Sequence, residues 1–363
     1  MRKSFFLSVL ALAAVVSCQK SEIVDSKYGN DEIGFETYVG RDAMTKASVA
    51  NVTTLKTDAI GVYGFYAGTT ENTQTNKANL LTNELLSYDQ TKSKWSYENT
   101  QYWLNATDFY GFLAYAPYAE NGTYSKVDGD ASINLFTVAL TENANPKVTY
   151  TVPSKLSNQI DLLYSNNKKI MHKDDVDLNF QHALARLTVT AQGPAESDIA
   201  FRIKKVAIEG KFINQDVLTL WDGTWAKSSV AANENTTYTF FNNAANEEAL
   251  TTKVDYAAGD NYLMMIPVDL TAEGAANLIV EYTTFAGIES ALVSKIIPIS
   301  QEFSQGKAYA INLKFEADDD LAISFNVTVQ AWKSESDTTT DETESEGNID
   351  IEKSNPVEWA DKE

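Results

Sequence analysis

Residues 321–332 read LAISFNVTVQAW, and their alternation decides the class of fold. Leu321, Ile323, Phe325, Val327, Val329 and Ala331 fall on one side of an extended chain. Ala322, Ser324, Asn326, Thr328 and Gln330 fall on the other, before Trp332. A period of two marks a half-buried strand, because successive side chains of extended backbone point to opposite faces. Working outward, the same signature recurs in KAYAINLKF (307–315), INLFTVAL (133–140) and KVTYTV (147–152). Tyr, Phe, Val and Thr dominate these runs, residue types that suit a pleated surface. Asp222-Gly223 lies between two tryptophan-bearing runs and predicts a hairpin. No amphipathic helix of useful length is present; NLLTNELLSY (79–88) reads as a weak helical patch or a loop. Short strands at regular spacing predict sandwiches or barrels. They form two series, one from about Asp58 to Ile170 and one from Leu178 onward. The expected architecture is all-β, with two β-sandwich domains at 47–177 and 178–333.

The start of the chain is of another kind. Arg2 and Lys3 precede an apolar run, Phe5 to Val16, which is shorter than the roughly 20 residues a membrane-spanning helix needs. Basic start, short apolar stretch and small residues are the layout of a secretory signal. The run ends Val15-Val16-Ser17-Cys18 and resembles a bacterial lipobox, with cleavage between Ser17 and Cys18 and acyl chains such as palmitate attached to Cys18. Residues 1–17 read as the signal peptide and 18–46 as a tether with a removable strand. Lipid on Cys18 would hold the chain to a membrane without a transmembrane span. Gln19 and Lys20 follow the cysteine in place of an aspartate, so the expected destination is the outer membrane, surface-exposed. At the far end, residues 334–363 hold eleven acidic and two basic residues with runs of Ser and Thr. That composition predicts a disordered acidic tail, although NIDIE (348–352) has the makings of an edge strand.

Composition excludes several chemistries. Cys18 is the sole cysteine, so once lipidated it leaves no thiol for a disulfide, a redox pair or a nucleophile. The two histidines, His172 and His182, are too few for a zinc site of the usual kind. The formal charge is −21, and without residues 1–17 it is −23, a surface that repels nucleic acid. There is no GxSxG, no phosphate loop and no HExxH, and no catalytic residues, metal or cofactor are expected. Asp318-Asp319-Asp320 and Asp174-Asp175-Val176-Asp177 have the oxygen donors calcium prefers, but they match no EF-hand and read first as solvated turns. His182, in FQHALARL, reads as a hydrogen-bonding structural residue at a strand start. Trp103, Trp221 and Trp225 read as sandwich core before they read as a glycan-stacking platform.

Near the N-terminus, Ile33, Phe35, Thr37 and Val39 alternate against Gly34, Glu36 and Tyr38. A segment with trypsin-like sites at Arg41 and Lys46 follows. A strand that can be cut away near one end leaves an open groove, and a strong strand near the other end of a neighbouring molecule can fill it. These features, with the lipobox, resemble the fimbrillins of Bacteroidales, the type V pilins and their Mfa-like relatives. QYWLNATDFYGFLAYAPY (101–118), DLNFQHALARLTVTA (177–191) and YAINLKF followed by ISFNVTVQAW (309–332) look like that family's characteristic segments, in its order.

The resemblance implies two transthyretin-like β-sandwiches exported as a lipoprotein. It also implies that a trypsin-like protease removes an N-terminal strand and that subunits join by donor-strand exchange. On this chain the excised strand carries Ile33, Phe35 and Val39, and the cut follows Arg41 or Lys46. The donor candidate is Leu321–Trp332, with Leu321, Ile323, Phe325, Val327 and Val329 inward. The alternative for that segment is the last strand of its own domain, paired with Lys307–Phe315. The implied partners are fimbrial subunits of the same or a related type, outer-membrane lipid, a trypsin-like protease, and host or bacterial surface glycans or proteins. Competing readings are a non-polymerising surface lipoprotein that binds glycans and a pilus anchor or tip subunit.

Overall fold

The computed structural model describes residues 31–39, 52–68, 78–128, 131–140, 145–172, 175–194, 197–227, 235–256, 262–316 and 323–332. Ser17, Cys18, Arg41, Lys46, Asp318-Asp319-Asp320, Leu321, NIDIE and the acidic tail lie outside the described residues. The first series of strands is β1 (Gly34–Val39), β2 (Ile60–Gly68), β3 (Leu81–Asp89), β4 (Lys94–Ser96), β5 (Phe109–Ala116), β6 (Thr123–Asp128), β7 (Ala131–Ala139), β8 (Lys147–Thr151), β9 (Leu163–Ile170) and β10 (Asp175–His182), with one short helix, α1 (Val52–Asp58). The second is β11 (Ala185–Gln192), β12 (Ala200–Gly210), β13 (Gln215–Thr219), β14 (Thr224–Trp225), β15 (Thr236–Asn242), β16 (Val254–Asp255), β17 (Leu263–Met265), β18 (Val268–Leu270), β19 (Ala276–Phe285), β20 (Val293–Ile299), β21 (Gln301–Phe303), β22 (Lys307–Phe315) and β23 (Ile323–Ala331). The chain is all-β, as its alternation predicts.

A seven-stranded sheet in the order β1-β10-β9-β5-β2-β3-β4 dominates the first half. Both of its faces are covered, which is why β2 and β5 read as near-continuous apolar runs with no clean alternation. Tyr63, Phe65, Leu113 and Tyr115 face a second sheet, β14-β13-β8-β7-β6, and join its core. Phe65 meets Trp221 edge-on at 6.4 Å, and Tyr115 meets Phe136 at 6.0 Å. The opposite face carries Ile60, Val62, Tyr110, Phe112, Ala114, Leu163, Val176, Leu178 and Phe180. Among the described residues, no second sheet covers that face. The seven-stranded sheet coils until its end strands meet, and the Trp95 indole of β4 donates to Thr37 Oγ1 of β1 at 3.2 Å. Leu55 of α1 and Trp103 complete this inner core.

In the second half, β16-β11-β22-β23 faces β15-β12-β19-β20. Phe315 of β22 touches Phe201 of β12 at 5.1 Å and Tyr282 of β19 at 5.5 Å. The two halves share strands and core. β10 runs through residues 177 and 178, and β13 pairs with β8 across five positions. The predicted hairpin is the β13–β14 turn, where Gly223 adopts φ 68° and the Tyr164 ring lies where a Cβ would stand.

The segment 79–88 differs from its reading as a helical patch or loop, since it holds β3. Asn83 has φ 49°, and the register against β2 shifts between Val62 and Gly64. This bulge puts an extra residue between Leu81 and Leu86, so both reach the core at an odd spacing that breaks the period of two.

Phe35 packs edge-on against Phe112 (5.4 Å) and Tyr97 (5.5 Å) inside the coiled sheet. Phe35→Ala is expected to cost about 3–5 kcal/mol of unfolding free energy, the range for truncating a buried ring. Urea denaturation followed by tryptophan fluorescence measures it.

Candidate functional site

The strand the sequence marks as removable, β1, occupies a lane beside β10. β1 lies parallel to β10, with Gly34 opposite Asp175, Glu36 opposite Asp177 and Val39 opposite Phe180. Parallel pairing places one strand of a ladder directly against a sheet edge, so β1 adds a row of backbone bonds that β10 otherwise lacks. Its other flank is held by the stretch that follows β4. Ile33 N–H donates to Gln101 C=O (2.9 Å), Trp103 N–H donates to Asp31 C=O (3.0 Å), and Glu32 bridges Tyr102. The Tyr97 hydroxyl donates to Ile33 C=O at 2.8 Å and accepts from Gln101 N–H at 3.1 Å. Burial pushes the Tyr97 phenol up to about 12. His172 Nε2 lies 3.2 Å from Asp31 Oδ2, and its ring meets Trp103 at 5.4 Å.

Four side chains of β1 and the residue before it point inward. Ile33, Phe35, Thr37 and Val39 are 1, 3, 5 and 4% exposed, whereas Glu36 is exposed. The structure therefore brings the sequence-predicted Ile33, Phe35 and Val39 together on one wall of the inner core. Their neighbours Trp95, Tyr97 and Trp103 were not singled out as lane residues, because nothing in the sequence links 95–103 with 31–37. The KWSYEN run marks a strand, not its partner.

The donor candidate occupies the edge of another sheet. β23 pairs antiparallel with β22 over nine positions, from Phe315–Ile323 to Lys307–Ala331. Ile323, Phe325 and Val327 are partly buried against the main core, and Val329 is 43% exposed. Trp332 ends the strand. Its N–H donates to Gly306 C=O (3.0 Å), and its ring stacks on His182 at 4.1 Å with the planes 5° apart. Arg186 lies over the same indole at 5.2 Å and over Tyr262 at 5.1 Å. Burial pulls the Arg186 guanidinium below its usual value, opposed by Tyr262, Asp161 and Asp255. His182 Nδ1 lies 2.9 Å from Asp161 Oδ2, both groups buried. The histidine is a hydrogen-bonding structural residue, at the end of β10 and not at a strand start.

Among the described residues, no group of three or more His, Cys, Asp or Glu side chains is placed to hold a metal. Asp175 and Asp177 are strand residues of β10. The described tryptophans, Trp95, Trp103, Trp221, Trp225 and Trp332, are all buried and serve the core. Among the described residues, no helix is long and apolar enough to cross a membrane.

The family model for fimbrillin-like proteins matches residues 45–332, most of the chain. The chain belongs to the fimbrillin-like family. Among solved structures, a fimbrial protein from Bacteroides vulgatus is 19% identical with a TM-score of 0.59; the match covers 84% of this chain and 100% of that one. A candidate cell adhesion protein from Bacteroides ovatus is 16% identical with a TM-score of 0.51, covering 86% of this chain and 100% of that one. At such identities these structures speak for a shared fimbrillin-like fold. No curated protein matches the chain.

Tyr97 gives the lane a pH limit. A folded pKa above the usual tyrosine value of about 10 means its contribution is complete below that pH and is lost as pH rises through about 12. Between about pH 9 and about pH 11.5, the urea midpoint of the native protein is expected to fall further than that of Tyr97→Phe, since the variant lacks the titrating group.

Proposed function

We propose that this chain is a fimbrial subunit or pilus-associated adhesin at the cell surface, made as a lipoprotein through Cys18 and assembled by donor-strand exchange. Family membership supports the fimbrial or adhesive role. One observation carries the assembly step: β1 is a peripheral strand by connection and a core strand by burial. It enters from the chain start, it is followed by Arg41 and Lys46, and its four inward side chains lie in the coiled sheet. The family match begins at residue 45, beyond β1, and ends at Trp332, the residue that closes β23.

While β1 is covalently attached, its return to the lane is intramolecular, at an effective concentration of about the millimolar range. Cleavage after Arg41 or Lys46 removes that advantage and leaves a second molecule's strand to compete on equal terms. The lane offers an incoming strand a row of backbone partners and pockets for alternate side chains. Each buried Ile, Val or Phe adds about 1.5–3 kcal/mol of transfer free energy. A contact between one end of a molecule and a different surface of the next is head-to-tail, and repetition gives a filament. The excision of β1 and the donor role of β23 form one proposal, with the trypsin-like protease, the fimbrial subunits and outer-membrane lipid as its partners. The strand-bearing chain divides for this purpose at 47–177 and 178–333, with β13 and β14 lent to the first sandwich.

Trypsin at limiting amounts is expected to cut the unlipidated protein first after Arg41 or Lys46 and to yield SDS-resistant or fibrous oligomers. A stable monomer with the same new N-terminus would remove polymerisation from the proposal. On intact cells, N-terminal sequencing is expected to find Asp42 or Ala47; a blocked, lipidated start on all of the protein would instead favour a standing surface lipoprotein.

A further inference from the structure

The lane strand and the last strand carry the same inward code. Ile33-Gly34-Phe35-Glu36-Thr37-Tyr38-Val39 and Ile323-Ser324-Phe325-Asn326-Val327-Thr328-Val329 both read Ile-x-Phe-x-(Thr/Val)-x-Val, and the chain contains that pattern at these two places alone. Thr and Val have nearly the same shape and differ in a hydroxyl. The four inward positions of β1 are almost wholly buried, whereas Ile323, Phe325 and Val327 are half-buried and Val329 is exposed in β23. The same four side chain shapes are thus less well covered in β23 than the lane would cover them.

We propose that residues 323–329 of one molecule enter the β1 lane of the next in a single register, with Ile323 replacing Ile33, Phe325 replacing Phe35, Val327 replacing Thr37 and Val329 replacing Val39, parallel to β10. This rests on the strand-exchange reading above and adds its register. The backbone contacts transfer unchanged, because the Gln101 carbonyl and the Tyr97 hydroxyl address the main chain of Ile33 and not its side chain. A slip of one residue would turn Ser324 and Asn326 into the core. A slip of two would place Val327 where Phe35 fills the space between Tyr97 and Phe112, leaving a void.

The copy differs from the original at one place that matters. Trp95 Nε1 donates to Thr37 Oγ1 inside the core, and Val327 has no acceptor to offer. An unpaired buried donor is costly. The original strand is therefore the better occupant as long as it is attached, and the copy succeeds after it is gone. This keeps the uncut protein from joining prematurely.

Cysteine pairs read the register directly. In a Cys18→Ser background, Asn326→Cys is combined in turn with Asp175→Cys, Asp177→Cys or Asn179→Cys. Each full chain is cut with trypsin, oxidised, and run on a non-reducing gel. Asp177 is opposite Glu36, the position Asn326 takes over, so the Asp177→Cys pair is expected to give intermolecular disulfides at least about tenfold above the other two. Predominance of the Asp175→Cys or Asn179→Cys pair would overturn the register. Oligomers with no cross-link in any pair would show that another strand fills the lane, overturning the inference while the strand-exchange reading survives. Absence of oligomers altogether would overturn both. Val327→Thr restores an acceptor for Trp95 and is expected to slow oligomer dissociation about fivefold, the worth of one recovered hydrogen bond. An unchanged or faster rate would show that residue 327 does not lie beside Trp95.

Discussion

The first half of this protein depends on the closure of one coiled sheet by a strand from the far N-terminal side. Six strands coil until β4 comes back to the neighbourhood of β10, and β1, the seventh, fills the gap that remains. Phe35 is the centre of that closure, with rings on both sides of it and Ile33 and Val39 flanking it along the strand. Without β1, the edge of β10 from Asp175 to Phe180 has no hydrogen-bonding neighbour on that side, and Val176, Leu178 and Phe180 lose their cover. Sheet edges of this kind invite pairing with another chain, and most proteins take care to blunt them. Here the edge is covered by β1, the first described strand of the chain.

β10 also links the closure to the other end of the chain. Its first six residues pair with β1, and its last residue, His182, stacks on Trp332, the residue after β23. Asp161 Oδ2 lies 2.9 Å from Nδ1 at the edge of the same imidazole. One strand thus borders the groove that β1 fills and anchors the tip of the segment that resembles β1. Both contacts fall on the same strand of one fimbrillin-like fold.

Much of this was legible from the residues. The period of two in 33–39 and 321–332 announced strands, and Asp222-Gly223 announced the hairpin, because these signals are local and follow from backbone geometry. β3 was not legible. Its bulge at Asn83 shifts Leu81 and Leu86 off the alternating pattern, so the period of two that marks a strand is lost. The lane itself was half legible. Ile33, Phe35 and Val39 stood out, but the place of Trp95, Tyr97 and Trp103 beside them did not. Their relation to β1 is a contact across some sixty positions of sequence, and no pattern within either segment encodes it. Pairing across such distances is decided by the coil of the whole sheet, which is a property of all seven strands together.

The loan of β13 and β14 to the sheet of the first half bears on the order in which the polypeptide matures. β8 has its neighbour on one side from β7 and on the other from residues 215–219, and Trp225 donates to the carbonyl of Ala183 at 2.8 Å. Domains generally fold as units, the N-terminal one first. This one must wait. The amino-terminal sandwich stays unfinished until residues 215–225 join it, and β11 and β12 precede them in the chain. The two halves are therefore obliged to ripen together, and a polypeptide cut short before that point has an open flank.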